Sequence, residues 1–469
     1  MRESRPRSRL PLAVVALTLL TACHFAPKHT LPPLPTPVAY DPALDSARAG
    51  GVRAIDIGWR DFFRDPRLDT LIAASLKNNR DLRIAVARID QARGFYRIQG
   101  SDRLPTGVAS AGFLRTGTGE PGVAAVDRAT VNLQVTSFEL DFWGRVRDLT
   151  EAAKSDYLAT VQAQRAFRLS LIQDVAATYL ASIEAAEQIR LADTTVKSRR
   201  EGVRIVQVRQ RAGLTSALDV RQAESLLAQA EAAVAATQLA RVQINNQLAV
   251  LVGGPVAGPL PEPLPLAEQT SPAILSAGVP SELMLWRPDV LAAEERLRSA
   301  EANIGAARAA FFPSISLTGA FGFASAALSS LFGAEGMLWS WGGQAQTPFF
   351  NRGRLKGNSQ IAHAEADIAI ADYDRTIQVA FREVTDALAA RRFLAEQVAA
   401  QERATIAQRQ IAQLARTRYI EGVASFLEVL DAERSLFATE QQLLRLRRNY
   451  VENLVVLYVA LGGGQLEGR

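Results

Sequence analysis

Residues 137–147 read Ser-Phe-Glu-Leu-Asp-Phe-Trp-Gly-Arg-Val-Arg and mark the point where a strand becomes a helix. Upstream, Val131, Leu133 and Val135 alternate with Asn132, Gln134 and Thr136, the period of a strand with one apolar and one polar face. The apolar set then moves to Phe138, Leu140 and Phe142, which implies a bulge near Thr136-Ser137. Downstream there is no proline from residue 148 to about 208, so one long helix is expected there. The junction itself is Trp143, Gly144 and Arg145. It recurs as Pro348-Phe349-Phe350-Asn351-Arg352-Gly353-Arg354, with Gly144 and Gly353 209 positions apart.

That offset holds without a gap over more than a hundred residues. Gly213 maps to Gly422, Leu218 to Leu427, Ala223-Glu224 to Ala432-Glu433 and Gly253-Gly254 to Gly462-Gly463. Upstream the offset is 208: Asp81 maps to Asp289, Pro105 to Pro313 and Phe113 to Phe321. Glycines at helix ends and prolines at strand starts in constant register argue for a duplicated architecture. The expected organisation is a leader over 1–22, an extended segment over 23–64, a first repeat over 65–254, a Pro-rich linker over 255–287, a second repeat over 288–464 and a tail over 465–469. Each repeat reads as helix, β-hairpin, long helix, turn and second long helix. In the first repeat, one helix is predicted from Asp65-Pro66 to Leu104-Pro105. The long helices are predicted at about 144–208, 216–252, 353–415 and 425–461. The longest corresponds to roughly 100 Å at ~1.5 Å per residue, and none is apolar enough to cross a bilayer.

The net charge is +5; Arg2, Arg5, Arg7 and Arg9 against Glu3 give the leader +3, so the remainder carries about +2. That removes most of the charge-based case for nucleic-acid binding. The basic start and the apolar run Leu10–Leu20 read as a secretory signal. It ends Leu20-Thr21-Ala22-Cys23, and Cys23 is the only cysteine. The placement of this thiol directly after an apolar run resembles a bacterial lipobox, so Cys23 is the expected lipidation site. His24 is not the Asp that would retain a lipoprotein at the inner membrane. No other cofactor is expected. His24, His29 and His363 have no metal-site spacing, and no nucleophile-elbow, P-loop or zincin motif occurs, so an enzyme is not expected.

Strands are predicted at 106–115, 128–142, 314–323 and 337–347. Trp339, Trp341, Phe349, Phe350, Phe142 and Trp143 are expected near one level beside the junctions, as an aromatic band at a membrane interface. Four strands do not close a barrel, and an open edge in lipid leaves backbone groups unsatisfied. Several copies must therefore share one barrel; two, three or four copies give 8, 12 or 16 strands. A soluble sheet with an aromatic core is the competing reading.

The lipobox, Trp59-Arg60-Asp61-Phe62-Phe63, Asn78-Asn79-Arg80-Asp81-Leu82-Arg83, the two junctions and Leu430-Asp431-Ala432-Glu433-Arg434-Ser435-Leu436-Phe437 together resemble the TolC-like outer-membrane factor family, in its OprM/NodT branch of efflux lipoproteins. The resemblance covers nearly the whole mature chain. Asn351 departs from it, standing where the family often has an acidic residue or glycine. It implies a mainly α chain with a small transmembrane β part, a homotrimer with a 12-stranded β-barrel (four strands per chain) continued by an α-helical barrel. It also implies an outer-membrane location with a periplasmic extension, a periplasmic adaptor protein and an inner-membrane pump as partners, and passive exit of toxic small molecules. An exit duct for secreted proteins and a pore-less structural lipoprotein are the alternatives. The turns at Gly213-Leu214-Thr215 and Gly422-Val423-Ala424 are the expected adaptor-contact tips. Leu427, Asp431 and Arg434, at i, i+4 and i+7, share a helical face and are the expected periplasmic gate, closed at rest. Arg434, Arg209 or Arg211 is the expected cation for Asp431.

Overall fold

The computed structural model describes residues 25–44, 51–120, 122, 124–255, 258–269, 275–278 and 280–467. Cys23 and the leader before it lie outside these residues.

Helix α1 (Pro66–Asn78) begins where the sequence demands it. Pro66 occupies its first turn, and Asp65 caps it by accepting from the Arg67 N–H at 2.9 Å. The Asp65 carboxylate is fully buried and also accepts from the Tyr179 hydroxyl, the Leu264 N–H and the Gln269 side-chain amide. A buried carboxylate is tolerable when its lone pairs are filled in this way. One residue thus ties a helix start, a long helix and the inter-repeat segment together. Burial, and then the bond to Asp65, pushes the Tyr179 hydroxyl well above its usual pKa.

The single helix predicted from Asp65 to Leu104 is in fact two. At Asn79 the backbone turns to ψ 132°, its Oδ1 accepts from the Leu82 N–H and its Nδ2 donates to the Leu251 carbonyl, both at 2.8 Å. An asparagine side chain competes with the helical backbone for partners, so α1 stops and α2 (Arg80–Ser101) restarts under an Asn cap.

Four antiparallel strands follow in the order β1 (Gly107–Thr116), β2 (Val126–Glu139), β3 (Ser314–Ser325) and β4 (Met337–Gln346). The register of β2 on β3 slips between Val135 and Phe138, at the expected bulge. The outer edges of β1 and β4 have no strand partner among the described residues.

The helices are α3 (Arg145–Arg211), α4 (Ala217–Val252), α5 (Pro288–Ala309), α6 (Arg354–Ile420) and α7 (Phe426–Ala460). The two 67-residue helices, α3 and α6, start at the two junctions and run a few residues beyond the predicted ends. No helix among the described residues is long and apolar enough to cross a membrane. Glu383, its side chain 39% exposed, pairs at 2.8 Å with Arg287, a largely buried guanidinium that also holds Asp289 and the Ala460 carbonyl.

The chain forms two compact units. The first comprises Met1–Pro33, Ala87–Val161 and Ala292–Asp374, and contains the sheet. There, Ala300 and Ile304 of α5 pack against Ala362 and Ala366 of α6, small residues that let helix backbones approach closely. The second unit comprises Leu34–Val86, Gln162–Leu291 and Arg375–Arg469. Its buried cluster includes Val206, Val220, Ala223, Ala415, Tyr419, Phe426 and Val429, from the ends of α3 and α6 and the starts of α4 and α7.

Candidate functional site

The pairing register assigns the two faces of the sheet. Ala111, Val131 and Phe323 with Met337 share one face, as do Ala109, Leu133, Phe321 and Trp339 one step along, and then Val135, Gly319 and Trp341. The intervening rows are Ser110, Asn132, Gly322 and Leu338, then Val108, Gln134, Ala320 and Ser340. One face is therefore predominantly apolar and aromatic across all four strands, and the other is predominantly small or polar, with Val108, Leu114 and Leu338 as its apolar members. The bulge keeps this true along β2: after the extra residue, Phe138 pairs with Leu317 and rejoins the apolar face. Phe113, Leu133, Phe321, Trp339 and Trp341 are each more than half exposed. An apolar face uncovered by protein beside a polar one is the pattern of a barrel wall between lipid and an aqueous lumen.

The aromatic band does not lie at one level, as the sequence suggested. Trp339 pairs with Phe321, seven residues from the strand end at Gln346, or roughly 23 Å at ~3.3 Å per residue. Trp339, Phe321, Phe323 and Phe332 gather toward the hairpin ends. Phe142, Trp143, Phe312, Phe349 and Phe350 lie at the strand–helix end. Sequence proximity misled here because β4 runs toward its junction, so early residues of the strand are far from it. Two aromatic levels flanking an apolar band is the more complete membrane signature.

At the first junction Trp143 stacks on Phe312 with centroids 4.8 Å apart, and Phe25 stacks on the same ring at 4.9 Å. The Trp143 indole donates to the Pro313 carbonyl at 2.8 Å. Gly144 is buried, and the Arg145 guanidinium grips both oxygens of Glu139. The extended N-terminal segment is fitted closely here. The Arg308 side chain donates to the Phe25 carbonyl, and a Cβ at Gly305 would lie 2.7 Å from the Ala26 nitrogen. The second junction is open: Phe349 is fully exposed and Phe350 79% exposed. Asn351 accepts from the Gly353 N–H at 3.1 Å, so it shapes the turn before α6, a role its chemistry explains. Gly353 and Arg354 are exposed beside it.

The two predicted tips have the same backbone design. At the end of α3, Gly213 has φ +72° and donates to Gln210, while Leu214 donates to Arg209. At the end of α6, Gly422 has φ +80° and donates to Tyr419, while Val423 donates to Arg418. This is a helix end closed by a left-handed residue, where glycine carries no steric penalty. The following helices differ. Ser216 and Asp219 form a reciprocal capping box at α4, with the Thr215 hydroxyl also on Asp219, whereas Ser425 makes no side-chain cap at α7. The Thr215 hydrogen bond, outweighing burial, holds the Asp219 carboxyl below its usual pKa. Leu214 and Val423 project 67% and 65% exposed, and Ala424 follows half-buried.

Leu427, Asp431 and Arg434 lie on one solvated face of α7, each more than half exposed. Arg434 pairs with Asp431 at 2.6 Å within the helix. Arg209 instead lies over the Tyr419 ring, and Arg211 bonds to the Gln207 carbonyl of its own helix. Sequence reasoning did not single out Arg199, a guanidinium only 5% exposed on α3. Its one signal is a long basic side chain on the helix face that carries Val203 and Val206. Among the described residues no group of three or more His, Cys, Asp or Glu is placed to hold a metal ion.

The model of the outer membrane efflux protein family matches residues 71–254 and 279–463. The chain belongs to that family. The cation efflux system protein CusC of Escherichia coli strain K12 is 38% identical over 460 residues, spanning 98% of this chain and 100% of that protein. The solvent efflux pump outer membrane protein SrpC of Pseudomonas putida is 39% identical over 460 residues, spanning 97% and 98%. Among solved structures, the open state of the Neisseria gonorrhoeae MtrE outer membrane channel matches with a TM-score of 0.88 at 37% identity, over 95% of this chain and 99% of that one. The outer-membrane channel OprN matches at 0.86 and 29% identity, over 94% and 100%. The fold class is that of these channels: a mainly α chain with a small transmembrane β part, contributing four strands to a shared β-barrel and its long helices to a trimeric α-helical barrel. The chain is an outer-membrane efflux channel.

Proposed function

We propose that three copies close a 12-stranded barrel, β4 of one pairing with β1 of the next, and form the passive exit duct of a tripartite pump. The observation that carries this is the four-stranded sheet: one face mainly apolar and aromatic, one face mainly small or polar, and both edges open among the described residues. Each tip turn follows a 67-residue helix that starts at a strand–helix junction, and each presents an exposed apolar residue, Leu214 or Val423. Those turns are the contacts for a periplasmic adaptor, which couples the duct to an inner-membrane pump. Cargo is small and toxic, and the pump selects it. Chains of 38–39% identity to this one are named for cations and for solvents, which supports a duct with little selectivity of its own.

The experiment is resistance in cells whose only outer-membrane duct carries Gly213→Asp together with Gly422→Asp. A Cβ at either position meets no atom within 4 Å, so the expected local strain is about 1 kcal/mol each and assembly is retained. Resistance is expected to fall to the level of the deletion strain, with wild-type amounts of trimer. Normal resistance would remove the tips from the adaptor interface.

Cys23 carries the lipid. The support is the sequence before it and the stacking of Phe25, two residues later, on Phe312 beside the first strand–helix junction. Mass spectrometry of the mature N-terminus is expected to find a diacylglyceryl-modified, acylated Cys23. An intact Met1 or a free thiol there would overturn the assignment.

A further inference from the structure

Between the ends of α3 and α6 and the starts of α4 and α7 lies a cavity of about 170 Å³, walled by Gly202, Ile205, Leu226, Tyr419, Phe426 and Leu430. Its size is close to that of a cavity of about 150 Å³ known to accept benzene. Its wall is not wholly apolar. Arg199 lines it, 5% exposed, with one N–H spent on the Leu226 carbonyl at 2.7 Å and its Nε without a hydrogen-bond partner. A buried guanidinium N–H left unmatched is unfavourable, and an acceptor inside the cavity would relieve it.

The neighbouring charges are already committed. Glu433 is held by Arg416 at 2.8 Å, and Arg416 also donates to Ser198. Glu201 is held by Arg204 at 2.6 Å. Arg199 has no carboxylate within hydrogen-bond distance among the described residues; its guanidinium carbon sits 5.3 Å from the Phe437 ring. The cavity thus combines an apolar wall with one buried guanidinium whose Nε is unpartnered; Glu201 and Glu433 on the same wall each pair with another arginine, and Glu433 also attracts Arg199 through space.

We infer that this cavity is a binding site for a small aromatic monocarboxylate, with the ring against the apolar wall and the carboxylate on Arg199. Charge-assisted bonds to a guanidinium are the strong ones. The site belongs to the folded chain and does not depend on the channel reading.

The test is fluorine NMR of 4-fluorobenzoate against purified, detergent-solubilised full-length protein, with protein-free micelles as the baseline. Saturable binding at one site per chain is expected. Gly202→Leu should abolish it: Gly202 lines the cavity and a Cβ there meets nothing within 4 Å, so the added side chain starts in open space beside the ligand position, and circular dichroism of the variant checks that the fold is kept. Arg199→Met should weaken binding roughly tenfold or more, and 4-fluorobenzyl alcohol should bind the wild type more weakly by a similar factor. No saturable signal at millimolar ligand, equal binding of the neutral alcohol, or binding unchanged by Gly202→Leu would each overturn the site. Because Gly202→Leu leaves Arg199 in place, a failure of Arg199→Met to fold does not spare the proposal.

Discussion

Leu427→Ala combined with Asp431→Ala is expected to raise the single-channel conductance of the purified protein in planar bilayers by roughly tenfold. At the start of α7 these two residues share an exposed face with Arg434. A gate built on that face would, under three-fold symmetry, bring three leucines and three carboxylates around one axis. Carboxylates in such a ring repel unless each has a cation, and Arg434 supplies it within the same helix at 2.6 Å. An exposed intrahelical pair contributes only a few tenths of a kcal/mol. A gate at these residues would therefore rest mainly on the Leu427 side chains, with the Asp431–Arg434 pairs keeping the carboxylates from repelling one another. Removing the leucines alone leaves a charged constriction, and removing the carboxylates alone leaves an apolar one, so the double change gives the large effect. The first repeat has Leu218, Gln222 and Ser225 at the aligned positions, and the same double change there should leave conductance as it was. Unchanged low conductance in Leu427→Ala with Asp431→Ala would reject the gate at these residues.

Leu133→Arg is expected to cut the amount of assembled protein in the outer membrane by at least an order of magnitude, while Gln134→Arg leaves it near normal. The two residues are adjacent on β2, but Leu133 shares its row with Phe321 and Trp339, and Gln134 shares its row with Ala320 and Ser340. An arginine facing lipid costs from about 2–4 kcal/mol at mid-bilayer down to about 1 kcal/mol at the aromatic level where Leu133 lies, whereas one in an aqueous lumen costs little. A copy carrying Leu133→Arg meets that cost three times in each trimer. Heat-modifiable trimer on a gel, measured from isolated outer membranes, checks the pair. Equal loss from both substitutions, or from neither, would contradict the face assignment.

Much of this was legible in the residues. The alternation through Val131, Leu133 and Val135, its shift at Phe138 and the repeated glycine junction follow from local rules about pleat, bulge and helix start. The chain obeys those rules in both copies. The two helix-to-helix turns were legible for the same reason, since Gly213 and Gly422 hold positive φ that other residues resist. What could not be read depended on partners distant in sequence. Asn79 breaks a helix because it reaches the Leu251 carbonyl, 172 residues away. Trp339 and Phe350 look like neighbours in the sequence, but strand direction separates them. Arg199 sits among the arginines of α3 and looks solvated; only the packing of α4 and α7 against it buries it.

The central claim is that a sheet of four strands with open edges is one third of a barrel. Its most direct test is the detergent-corrected mass of the full, processed protein in solution, by sedimentation or by light scattering with refractive index and absorbance. The account predicts one species of three times the mass of the mature chain, stable to dilution. A stable monomer or dimer that still spans the membrane would contradict it.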